Sequence, residues 1–144
     1  MLLALIMCSS AFAQNINAIE PELLKVLNQK NEELIDIHIY FKTNVNTAQL
    51  KNKSREALSK SEQKAVVENE LKSHSECNQA DVMSILKAEE KNGNVADIHS
   101  LWIVNSISCK ASRDVIYQLS SHPDVKMIGY DKELQIITPE QMKD

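Results

Sequence analysis

The chain has 144 residues, with 16 Lys or Arg against 20 Asp or Glu, and its formal net charge is −4. Charges of both signs are mixed along the chain without a basic stripe, which argues against nucleic acid or a membrane surface as a partner. A chain of this length is expected to form one domain around one core.

The first thirteen residues are an uncharged, largely apolar run that is typical of a secretory signal peptide. The run ends in Ala11-Phe12-Ala13, a small-x-small pattern that predicts cleavage before Gln14. It is shorter than the about 20 residues that cross a bilayer. We therefore expect residues 14–144 to be secreted or periplasmic. A lipoprotein signal ending at Cys8 is the alternative, but bulky Met7 stands where a small residue is wanted.

Two cysteines, Cys77 and Cys109, remain beyond this leader. Cys109 alternates with Ile107 and Ala111 as a core-facing strand residue would, so two unpaired thiols are favoured over a disulfide. No Cys or His pair stands at the spacing of metal ligands. We therefore expect neither a metal nor another cofactor.

The first predicted elements are a helix over 20–28 and a strand over 34–41. Pro21 suits the first turn of the helix, and three leucines fall on one face: Leu23, Leu24 and Leu27. In the strand the odd positions from Ile35 to Phe41 are apolar and face the core, and Asp36, His38 and Tyr40 point the other way. The polar segment 43–54 has no sustained period and predicts a loop.

The middle of the chain predicts two consecutive helices. Ser59 to Glu62 has the form of a capping box, and Val67 and Leu71 stand one turn apart. A break at 73–77 precedes a second helix that Asn78 caps and that Gly93 terminates. The many charges on both helices indicate solvated faces.

The strand predicted over 98–105 is apolar on both of its sides. Leu101 and Ile103 point to one side, whereas Trp102 and Val104 point to the other. A short strand over 107–111 follows almost at once, which predicts an antiparallel hairpin. The chain then predicts a helix capped by Ser112 and ended at 122–123, a last strand over 125–130, and a polar tail over 131–144.

This order of elements predicts an α+β, ferredoxin-like (βαββαβ) fold, an antiparallel four-stranded sheet with helices on one face plus an extra N-terminal helix. The uncovered face is then expected to be a docking surface that carries His38, Tyr40, Trp102, Val104, Ile128 and Tyr130. The alternative is that the N-terminal helix folds over this face and hides it.

The sequence contains no pattern that predicts catalysis. It has no Gly-x-Ser-x-Gly, no His-Glu-x-x-His and no Gly-rich phosphate loop. The four histidines fall on a first strand, an inter-helix break, a strand start and a helix end. We therefore predict that the chain is not an enzyme.

Three segments together resemble a known family. The run Leu101-Trp102-Ile103-Val104-Asn105-Ser106-Ile107, the helix around 115–119 and the segment 125–131 closely resemble the propeptide, or inhibitor, domain of secreted subtilisin-like serine proteases. The likeness extends back through Asn78-Gln79, the strand at 35–41 and the opening at 19–23, and it is greatest to the longer propeptides of Bacteroidota-type enzymes.

The resemblance implies a domain whose open sheet face packs on two surface helices of a protease while its carboxyl-terminal tail lies along the substrate cleft. Such a domain assists folding of the protease and inhibits it. The implied tail residues are Asp131, Leu134, Ile136, Ile137, Thr138, Met142 and Asp144. No protease motifs are present, so a free-standing inhibitor and a severed propeptide both stay open, and we expect a monomer when free. The alternative is a periplasmic ferredoxin-like module that dimerises through the same face or senses a ligand.

Overall fold

The computed structural model describes residues 15–29, 33–56 and 59–131. A 3-10 turn at Ile16–Ala18 is followed by α1 (Pro21–Asn28), β1 (Ile35–Phe41), α2 (Thr47–Arg55), α3 (Lys60–Lys91), β2 (Val95–Leu101), β3 (Ser106–Ala111), α4 (Arg113–Ser120) and β4 (Val125–Tyr130). The predicted signal peptide and residues 132–144 of the predicted tail lie outside the described residues.

The four strands form one antiparallel sheet in the order β2-β3-β1-β4. This order is that of a ferredoxin-like sheet, and the α+β prediction is confirmed. The predicted hairpin is present, since β2 and β3 are adjacent and antiparallel. The two central strands, β1 and β3, are consequently those that the sheet protects best.

The hydrophobic core lies between one face of the sheet and the helices. Ile37 and Ile39 of β1 are fully buried, as are Ile107 of β3 and Leu119 of α4. On α3 the buried residues Ser75, Gln79, Val82 and Leu86 form one stripe in the second half of the helix. We call this side of the sheet the core side and the opposite one the outer face.

The α1 helix contributes to the same core and does not cover the outer face. Its Leu23 and Leu27 are buried in one cluster with the core-side residues of β1. Just before the helix, Ile19 forms a parallel bridge to Ile128, and the Glu20 amide donates to the Ile128 carbonyl at 2.9 Å. Residues 19–20 thus protect the free edge of β4, and the covering role considered for this helix is wrong.

Two helix predictions need correction. Residues 43–54, predicted as a loop, contain most of α2, whose first turn is capped by the Asn46 side chain accepting from the amides of Ala48 and Gln49. The predicted break at 73–77 is absent, and α3 runs continuously for 32 residues. There Ser75 and Asn78 donate to carbonyls of the preceding turn, Lys72 and His74, so they are accommodated within the helix.

The predicted helix ends at α3 are confirmed. Ser59 accepts from the Glu62 amide at 3.2 Å and its own amide donates to the Glu62 carboxylate at 2.8 Å, which completes a capping box. At the other end Gly93 has a φ of +78°, the left-handed conformation that terminates a helix. No helix among the described residues has the length and apolar character needed to cross a membrane.

The most consequential correction concerns the predicted two-sided strand. The strand β2 ends at Leu101, and residues 102–105 form the turn that joins it to β3. Asn105 has a φ of 45°, which a continuing strand does not allow. The apolar run therefore lies at the tip of a hairpin, and its alternation does not place side chains on two faces of a sheet.

Candidate functional site

An exposed apolar row crosses the outer face of the sheet. The strand registers place Leu101, Ser106, Tyr40 and Met127 side by side, one from each strand. Leu101, Tyr40 and Met127 are 37%, 36% and 38% exposed. We call these three side chains the apolar row. Exposed apolar side chains aligned on a strand face are the kind of surface that a partner protein covers.

Ser106 lies in the middle of this row and is buried. Its hydroxyl has no hydrogen-bond partner among the described residues. A buried polar atom without a partner costs free energy, so the position is not explained by stability of the isolated domain.

A second row of side chains lies beside the first on the outer face. It consists of His99, Ser108, His38 and Gly129 in register. The Tyr40 ring stacks on the His38 ring at 6.1 Å between centroids. A Cβ at Gly129 would stand 3.5 Å from the Tyr40 ring and 3.2 Å from Glu20 Oε2. Gly129 therefore leaves room for the Glu20 carboxylate, which accepts from the Tyr130 amide at 2.9 Å, whereas the contact with Tyr40 would be an ordinary one.

At one end of the outer face, the carboxylate of Asp131 lies beside the ring of His38. Asp131 Oδ2 lies 2.9 Å from His38 Nε2, and the Asp131 amide donates to the Asp36 carbonyl at 3.0 Å. Asp131, predicted as the first residue of the cleft-binding tail, thus continues the pairing of β4 with β1. Of the predicted tail residues, Leu134, Ile136, Ile137, Thr138, Met142 and Asp144 lie outside the described residues.

The structure places the residues predicted for the docking surface in different parts of the fold. His38 and Tyr40 lie on the outer face, as predicted. Ile128 is fully buried in the core opposite Ile39, and Tyr130 pairs with Ile37 and packs partly buried against the core, so the outer-face placement of both is wrong. The reason is the register of β4, which turns Met127 and Gly129 outward.

Trp102 and Val104 belong to the hairpin tip and not to the sheet face on which they were predicted. Trp102 is half-buried, with the Lys72 ammonium of α3 5.0 Å from its ring centroid. Ile103 and Val104 are 66% and 60% exposed. Both side chains line grooves whose other walls are α3 and the segment that joins β1 to α2, so they do not continue the apolar row.

A buried polar network attaches the tip to the rest of the fold. The Gln79 side-chain amide donates to Asn105 Oδ1 at 3.2 Å and to the Ser106 carbonyl at 3.3 Å, and it accepts from the Ser100 hydroxyl at 2.6 Å. The side-chain nitrogen of Asn105, Nδ2, in turn donates to the Thr43 carbonyl at 2.7 Å. The tip is therefore held in one conformation by α3 and by the chain that follows β1.

Sequence reasoning missed Met127 and misplaced Leu101. The alternation of β4 alone gives two possible orientations of Met127, and the chain offers no further signal that distinguishes them. Leu101 was expected on the side of Ile103 in a longer strand. Pairing with Ser106 places the Leu101 side chain on the outer face of the sheet.

Comparisons with known proteins give one similarity. A stretch of 75 residues, 52% of this chain, is 28% identical to Bacillopeptidase F of Bacillus subtilis (strain 168). That stretch is 5% of Bacillopeptidase F, so the chain spans a small part of the length of this relative. No protein-family model matches the chain, and no solved structure matches it either. The similarity thus concerns one region of a much longer protein.

Proposed function

We propose that this chain is a propeptide-like inhibitor or folding assistant of a subtilisin-like serine protease, that it has no catalytic activity, and that it acts outside the cytoplasm. The observation that carries the proposal is the apolar row, a line of exposed apolar side chains on the outer face of the sheet. Two similarities in sequence support it: the resemblance of three segments to subtilisin propeptides, and the match to a region of a relative that is by name a peptidase.

The size of the surface determines what docking requires. Four strands about 4.8 Å apart and six residues of about 3.3 Å each give a face of roughly 300–400 Å². A stable complex needs about 800 Å² on each partner. The sheet face alone is too small, so tight binding would also use the chain after Asp131.

The tail would supply a different kind of contact. An extended segment laid along a protease cleft pairs its backbone with the cleft edge, while side-chain pockets select the sequence. Because the docked sheet holds the tail at a high local concentration, the two weak contacts together bind more tightly than either one alone. Inhibition would then follow from product-like occupation of the cleft.

The test is inhibition of peptide hydrolysis by several subtilisin-like proteases, using the full chain and the 14–144 chain. We expect inhibition at micromolar concentration, and a loss of at least tenfold in affinity for Tyr40→Asp and for Met127→Asp, because each buries a charge under the partner. Gln118→Asp, on the exposed side of α4, is the matched control and should inhibit as the wild type does.

Two results would contradict this proposal. Unchanged hydrolysis with every protease tested at micromolar inhibitor would remove its basis. A stable homodimer that Tyr40→Asp converts to monomer would instead favour the dimerisation module, since the same face would then be occupied by a second copy.

A further inference from the structure

Three potential metal ligands meet on the helical side of the molecule, away from the outer face. Asp81 projects from α3, and His122 and Asp124 flank Pro123 in the connection between α4 and β4. One ligand atom from each of the three lies within 4.8 Å of the other two. Residues 41 positions apart in the sequence are thus brought together only by the packing of α3 beside the end of α4.

The local backbone holds two of these ligands firmly. The His122 amide donates to the Leu119 carbonyl at 3.0 Å, and the Val125 amide donates to the His122 carbonyl at 3.2 Å. Pro123 fixes its own φ between the two ligands. His122 has a side chain only 14% exposed, with Nδ1 3.9 Å from Asp124 Oδ2. The ring is oriented further by its Nδ1, which accepts from the Asp124 amide at 3.2 Å, a hydrogen bond that an ion bound at Nδ1 would replace.

Among the described residues, the side chain paired with a carboxylate of this cluster is His122 itself. Asp81 and Asp124 bring two carboxylates together, and no described Lys or Arg forms an ion pair with either of them. Two like charges at this separation repel each other unless a cation lies between them. The imidazole of His122 adds a nitrogen ligand to this pair of oxygen ligands.

We propose that Asp81, His122 and Asp124 bind a divalent transition-metal ion, with zinc as the ion that suits them best. Zinc accepts imidazole nitrogen at about 2.0–2.1 Å and carboxylate oxygen at about 2.0–2.2 Å, with three protein ligands and water in a fourth position. In such a tetrahedron the ligand atoms stand about 3.3–3.5 Å apart. Rotation of exposed Asp81 and Asp124 closes the remaining gap.

The nitrogen ligand decides the class of metal. Calcium and magnesium prefer sites made wholly of oxygen, whereas imidazole favours zinc and its first-row neighbours. A bound ion would join α3 to the α4–β4 connection and so stabilise the folded state against the unfolded one. This inference is independent of the proposed function, because none of the three residues lies on the outer face.

The experiment is calorimetric titration of the full chain, freed of metal, with zinc chloride. We expect one site of micromolar affinity that weakens at least tenfold in Asp81→Asn and in His122→Gln. Zinc at 100 times the dissociation constant should raise Tm by roughly 5–10 °C in the wild type. In NMR spectra, the amide signals of residues 81, 122 and 124 should shift first.

Two matched controls show whether zinc binds at a site other than Asp81, His122 and Asp124. His99→Gln removes an exposed histidine of β2, and Cys77→Ser removes an exposed thiol of α3. Both should bind zinc as the wild type does. Equal affinity in the wild type and Asp81→Asn, loss of binding in either control, or no binding up to about 1 mM zinc would each overturn the proposal. Asp81 is exposed and Asn is isosteric with it, so that variant tests binding without loss of folding.

Discussion

Replacement of Gln79 by alanine tests whether α3 holds the hairpin tip in place. The Gln79 side chain is 3% exposed and makes three hydrogen bonds, with Asn105, Ser106 and Ser100. A net contribution of about 1 kcal/mol for each bond gives a loss of about 3 kcal/mol in the free energy of unfolding. The loss is not smaller, because Asn105 and Ser106 are buried and the acceptor oxygens that Gln79 reaches would be left without their donor.

The assay is urea unfolding followed by far-UV circular dichroism. With an m-value of about 1.5–2 kcal/mol/M, the midpoint should fall by about 1.5–2 M. Gln63→Ala is the matched control, because Gln63 is exposed on the same helix, and its midpoint should stay within about 0.3 M of the wild type. A loss below about 1 kcal/mol for Gln79→Ala would refute the reasoning, since the network would then contribute no more than a single surface bond.

Ile128→Ala should cost about 2–5 kcal/mol of unfolding free energy because it empties a fully buried core position. Met127→Ala should cost less than about 1 kcal/mol in denaturant unfolding, yet weaken protease binding in the inhibition assay. Equal destabilisation by the two variants would contradict the observed register of β4. Burial raises the pKa of the Cys109 thiol from its usual 9.0 to about 12, and the Asp36 carboxylate adds to the rise. The neutral thiol is therefore favoured in the folded state, and the unfolding free energy should fall by up to about 1.4 kcal/mol per pH unit from pH 9 towards pH 12. In urea unfolding between pH 9 and pH 12, this pH dependence of the unfolding free energy should disappear in Cys109→Ala and persist in Cys77→Ser. The same pH dependence in the wild type and both variants would contradict the assignment to Cys109.

Local patterns were sufficient for most elements of this fold. The alternation at 35–41 predicts a strand with its odd residues inside, and Ile37 and Ile39 are indeed fully buried. The capping box at Ser59 and the glycine at 93 predict the two ends of α3 because each acts within one helical turn. In contrast, the break predicted inside α3 is wrong, since polar side chains at 75 and 78 bond to their own helix.

The two sides of β4 could not be assigned from its sequence. The segment 125–130 has apolar residues at both odd and even positions. Only its pairing with β1 turns Ile128 into the core and Met127 outward. The prediction of a docking face depended on alternation in the run at 101–105, but residues 102–105 form a turn. Tyr40 and His38 were predicted on the correct side because their strand has a clear period of two.

The sequence by itself determined the elements and their order, because helix caps, periodicity and turn residues act over a few neighbouring positions. Tertiary structure decided which side chains meet. The apolar row joins β1, β2 and β4, the Gln79 network joins α3 to the hairpin, and Asp81 meets His122 across 41 residues. Such meetings depend on strand register and helix packing, and these are set by the whole core at once.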